Sequence, residues 1–183
     1  MRIAAGLVLV GLAATVSRVF AAGHRLLQAA RLIVAAQALP HHYEVRAYGT
    51  AEGEVRVSAE GLPDLPTQAP PEFGGPGGYW SPETMLLGAV ANCYLLSFRA
   101  VARASKLEWQ ALAIHVEALL GRVEGVTRFT RFTLRPRLEL AAGASGTLAE
   151  TVLKKAKSVC LVTNSLHADF ELAPSVQVAD DAS

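Results

Sequence analysis

Residues 73–103 read FGGPGGYWSPETMLLGAVANCYLLSFRAVAR. A glycine-rich loop leads into a strong helix start, with Ser81 as N-cap, Pro82 at the first helical position and Glu83 in the first turn. From Met85 to Val101 the segment is apolar on nearly every face, interrupted by Asn92, Ser97 and Arg99. A helix without a polar stripe is expected to be a buried central one. Cys93, one of only two cysteines, sits at its middle. A thiol there is either inert packing or a sheltered reactive centre.

Outside this stretch the chain reads as alternating elements. Tyr43–Gly49 and Glu54–Ala59 alternate β-branched or aromatic residues with polar ones, predicting two strands joined by a turn at Thr50–Gly53. Gly61–Pro71 reads as a connection. After Ser105-Lys106, Leu112, Ile114, Val116, Ala118 and Leu120 share one parity. Past the Glu124-Gly125 turn, Val126, Phe132, Leu134, Leu138 and Leu140 do the same, which predicts an antiparallel hairpin. Phe129 falls on its polar side, and Pro136 suggests an edge or a bulge. Thr147 to about Val159 predicts a second helix with Leu148, Val152 and Ala156 on one stripe, and Cys160 continues that stripe at i+4. Phe170–Val178 predicts a closing strand. The sum is an α+β domain: antiparallel sheets around a long buried central helix.

Composition narrows the function. An apolar fraction of 51% in 183 residues supports one sizeable core. Residues 1–40 carry four arginines and no acid, so the formal net charge of +1 leaves the remainder acidic by 3. A mildly acidic domain is a poor nucleic-acid binder, because such affinity comes from neutralising phosphates. Two cysteines are too few for a disulfide scaffold. No CxxC occurs, and the five histidines do not cluster at either cysteine, so no metal site is expected. FGGPGGYW lacks the spacing of a phosphate-binding loop; Tyr79 and Trp80 are expected either to line an apolar substrate pocket or to join the core.

Residues 1–40 form an apolar extension. Its run at 3–16 suits a signal-peptide core, Arg18–Leu39 could be a membrane-surface helix, and the true start could lie downstream. The expected domain is then 41–183. Cytoplasmic residence is expected if the extension is not used, and membrane association or export if it is.

Two cysteines on inward helical stripes read on their own as either small core residues or a redox pair. GGPGGYWSPE at Gly74–Glu83, followed by Cys93 in ANCYLLSF, together with CLVTNSL at Cys160–Leu166, resembles the family of osmotically inducible protein C and the organic hydroperoxide resistance proteins (OsmC/Ohr). The resemblance covers about residues 42–178. It implies an intertwined homodimer and a thiol-dependent peroxidase acting on organic hydroperoxides, without metal, flavin or haem. In it Cys93 is the peroxidatic thiol, Cys160 the resolving thiol, and Glu83 the carboxylate that orients an activating arginine. The implied reductant is a dithiol such as a lipoylated protein. The family's arginine lies between the first two strands, where this chain has Thr50–Val55; Arg46 and Arg56 are nearest, Arg56 is the preferred stand-in, and Arg128 and Arg131 are alternatives. A departure at the arginine favours a second function, a non-catalytic dimer binding an apolar ligand. Ten residues of straight helix separate Glu83 from Cys93 by about 15 Å, so Glu83 must act through another side chain, across a dimer, or after a break near Gly88.

Overall fold

The computed structural model describes residues 38–178. The chain divides into two compact units, Met1–Glu44 and Val45–Ser183, just beyond the switch in sequence at Pro40-His41. Of the first, residues 38–44 are described, and the rings of His41 and Tyr43 meet edge to face at 6.5 Å. The expectations for residues 3–16 and 18–37 lie outside the described residues.

The second unit begins with a small antiparallel sheet of β1 (Arg46–Tyr48), β2 (Val55–Ser58) and β3 (Leu65–Thr67). The first two strands fall inside the expected stretches but are shorter at both ends, with Tyr48 opposite Arg56. The third was hidden in the proline-rich connection. Pro66 faces Arg56 on an edge strand, where a missing N–H is readily tolerated.

A 3-10 turn at Pro71–Phe73 precedes the long helix α1 (Pro82–Ala104). Ser81 and Thr84 form a reciprocal capping box: Ser81 N–H donates to Thr84 Oγ1 at 2.8 Å, and Thr84 N–H to Ser81 Oγ at 3.3 Å. The helix runs unbroken past Gly88. Its fully buried residues, Val90, Tyr94, Phe98 and Ala102, recur every fourth position as one stripe. The all-round burial expected of this helix is therefore not achieved within one chain. Leu96 is half exposed.

The hairpin of β4 (Trp109–Val123) and β5 (Val126–Leu140) turns at Glu124 and Gly125, both at positive φ, as a two-residue turn of this kind requires. Phe132, Leu134, Leu138 and Leu140 are buried on its inner face. A bulge explains Phe129. Leu119 pairs with Arg131 but Leu120 with Phe129, so Thr130 is an extra residue and the parity flips beyond it. Phe129 then packs against Phe132 at 5.4 Å.

Helix α2 (Gly146–Val159) follows, then the one-turn α3 (Leu161–Asn164). The expected closing strand is split into β6 (Asp169–Leu172) and β7 (Ser175–Val178), both parallel to β5. Pro174, with no N–H, breaks it, while Ala173 N–H donates to Leu134 O at 2.9 Å. Pro136 lies at the gap this leaves, beyond the reach of either β6 or β7. It therefore occupies a central strand without removing a ladder bond to either.

The core predicts a sharp contrast. Phe132→Ala removes a buried ring stacked on Phe170 at 5.0 Å and should cost about 3–5 kcal/mol. Thr127→Ala at the exposed hairpin tip should stay within about 0.5 kcal/mol. Equal shifts in urea midpoint would contradict this assignment of the core.

Candidate functional site: a thiol pair beside the central helix

Each cysteine is placed by a helix stripe. On α1, Cys93 precedes the buried Tyr94 and so lies about 100° round the helix, at the margin of the buried stripe; it is half-buried. On α2, Ala149, Val152, Leu153 and Ala156 are buried, and Cys160 follows at the helix end, fully buried. Cys160 is at once the C-cap of α2 and the N-cap of α3.

The two helices pack on each other, and Cys93 lies near enough to Cys160 to perturb its titration. Val162 N–H donates to Cys93 Sγ at 3.5 Å. Burial, above all, raises the Cys160 thiol above the ordinary range, proximity to Cys93 adds to this, and hydrogen bonding to Thr163 partly offsets it. The segment is fixed by its own bonds: Thr163 Oγ1 donates to Cys160 O at 3.1 Å, and Asn164 Nδ2 to Ser158 O at 3.1 Å.

The other expected site residues lie apart from this pair. A cavity of about 1080 Å³, open to solvent, is lined by Arg46, Thr50, Val55, Val57, Phe73 and Glu83, among others. Glu83 has one carboxylate oxygen, Oε2, buried without a hydrogen-bond partner. Arg56 does not line this cavity. Its strand neighbours Val55 and Val57 do, so alternation turns Arg56 to the opposite face. There it pairs with Glu54 at 3.0 Å and stays 60% exposed. Arg46, which the sequence set second to Arg56, lines the same cavity as Glu83. Arg128 and Arg131 are exposed on the hairpin. Tyr79 and Trp80 are also substantially exposed and are not among the cavity's lining residues. Trp80 lies along α1 at Gly88, where a Cβ would sit 3.5 Å from the indole. With α1 unbroken, the separation of Glu83 from Cys93 stands. Among the described residues no cluster of three metal-ligating side chains occurs.

The profile of the OsmC-like proteins matches residues 75–173, spanning α1, both cysteines and β6. This chain belongs to the OsmC family. It is 30% identical to the uncharacterized protein YmaD of Bacillus subtilis, over 72% of this chain and 91% of that one. Its fold resembles an organic hydroperoxide resistance protein OsmC from Legionella pneumophila, at 26% identity and a TM-score of 0.61, covering 78% of this chain and all of that one. An OsmC-like protein of unknown function from Vibrio cholerae shares the fold, at 17% identity and a TM-score of 0.67, covering 75% of this chain and all of that one.

Two outcomes follow for the OsmC-type thiol pair. Iodoacetamide at neutral pH should alkylate Cys93 well before Cys160, which is buried and held protonated; peptide mapping with the order reversed would contradict the site. Because the Cys160 thiol titrates higher folded than unfolded, its stabilising contribution is complete below the unfolded thiol range, about 8.5. It is lost as pH rises through the folded value. Denaturation from pH 8 to 10 should therefore show a decline that Cys160→Ala reduces.

Proposed function

We propose that this OsmC-family protein is a thiol-dependent peroxidase that reduces organic hydroperoxides. The observation that carries the reading is the Val162 N–H directed at the Cys93 sulfur, which brings the segment starting at Cys160 against Cys93. In the proposed cycle the Cys93 thiolate attacks the terminal peroxide oxygen. The O–O bond breaks, an alcohol leaves after taking up a proton, and Cys93 becomes a sulfenic acid. The Cys160 thiol then displaces water and forms the Cys93–Cys160 disulfide. A dithiol, such as one carried on a lipoylated protein, returns both thiols and is itself oxidised to a disulfide.

The proposed active unit is a homodimer. Three observations support it: the incomplete cover of α1, the wholly exposed β1, and the distance along α1 between Glu83 and Cys93. A second copy could bring its Glu83 and arginine to the Cys93 of the first. Arg46 is the proposed activating cation in place of Arg56, because it shares a cavity wall with Glu83. The apolar surface near Tyr79 and Trp80 is the proposed contact for the organic part of the substrate.

Turnover of cumene hydroperoxide with dihydrolipoamide tests the reading. Cys93→Ser should reduce it to background. Cys160→Ser should stop after one oxidation and leave Cys93 as a sulfenic or sulfinic acid detectable by mass spectrometry. Arg46→Ala should slow oxidation of Cys93 about a hundredfold, as loss of a charge-stabilising donor does, whereas Arg56→Ala should change it by less than about twofold. If the wild type consumes no hydroperoxide, the protein is instead a dimer that binds an apolar ligand.

A further inference from the structure

Tyr94 is the buried ionisable group that the proposed cycle leaves unused. It is fully buried, and its hydroxyl donates to Leu153 O at 3.1 Å, a backbone carbonyl inside α2. Leu153 lies two helical turns before Cys160 and on the same face. One end of this link is therefore the immediate neighbour of Cys93, and the other is on the helix that ends in Cys160.

We infer that Tyr94 is a positioning residue for the thiol pair: its hydroxyl pins α2 to α1 so that the Cys160 sulfur stays against the Cys93 sulfur. The requirement is geometric. The sulfurs must come to about 2 Å to bond, whereas apolar packing alone lets helices slide by fractions of an ångström at little cost. A hydrogen bond is directional and has no such slack. The alternative partner for a buried hydroxyl is none at all, which is costly. The burial that raises the Tyr94 hydroxyl well above its ordinary range, with a contribution from Cys160, agrees with this placement, because it keeps the hydroxyl a donor.

The inference rests on the two thiols acting as a redox pair, and its test needs no hydroperoxide. In glutathione buffers, one oxidised glutathione plus the protein dithiol gives the protein disulfide and two reduced glutathiones. Tyr94→Phe keeps the ring and removes the bond. It should lower the equilibrium constant for disulfide formation about tenfold, equivalent to about 30 mV in a two-electron couple. Leu138→Ala, which opens the core on the sheet side, is the control. It should lower the melting temperature while leaving the thiol equilibrium unchanged. An unchanged equilibrium in Tyr94→Phe overturns the inference, and so does an equal shift in Leu138→Ala, which would indicate general loosening. Should Tyr94→Phe prove insoluble, Tyr94→Met gives the same reading with a flexible apolar chain. If Tyr94→Phe shifts the equilibrium but the wild type consumes no hydroperoxide, the positioning role stands and the peroxidase reading alone falls.

Discussion

The rotational setting of α1 is the constraint on which the rest depends. Val90, Tyr94, Phe98 and Ala102 bury together in one core with residues of β5 and α2, and each large side chain contributes about 1.5–3 kcal/mol through apolar burial. Turning the helix by one residue, about 100°, would expose the stripe. With the stripe fixed, Cys93 can occupy only the margin of the core. That margin suits a reactive thiol, because a fully buried sulfur could not meet a substrate and a fully exposed one would be unguarded.

The same logic acts from the other side. Helix α2 presents Ala149, Val152, Leu153 and Ala156 to α1, and the chain leaves the helix at Cys160. The turn into α3 sends the Val162 N–H back to the Cys93 sulfur. One continuous packing surface therefore positions both thiols and the donor between them. In contrast, the sheet of β1 to β3 has little of its own chain to pack on: β1 is exposed throughout, as are Val45, Tyr48 and Trp80. A three-stranded sheet of three- and four-residue strands is not stable on one chain's surface without a buried face. The proposed dimer would supply that face.

Much of this was legible in the sequence because it rests on periodicity. The cap at Ser81, the long helix, the hairpin and the inward stripe ending at Cys160 all follow from spacings of two and of three to four residues. What the sequence hid depends on partners in space. The third strand carries a proline, which its edge position lets the sheet tolerate. Phe129 reads as a misplaced aromatic until the extra residue at Thr130 restores its face. The one-sided burial of α1 could not be read, because an all-apolar helix looks the same whether one chain or two provide its cover. Sequence alone put Cys93 and Cys160 on inward stripes but not against each other. That required knowing that α1 and α2 pack together.

The arginines show how the lining of a cavity bears on a proposed chemical role. Arg46 and Arg56 are both on the first hairpin, and position along the chain does not separate them. In β2, Val55 and Val57 face the cavity, so Arg56 points away and is satisfied on the surface by Glu54. An exposed ion pair of this kind is worth little and is screened by salt. Arg46 instead shares a wall with Glu83, whose buried oxygen lacks a hydrogen-bond partner. A carboxylate oxygen left so is costly until a donor meets it.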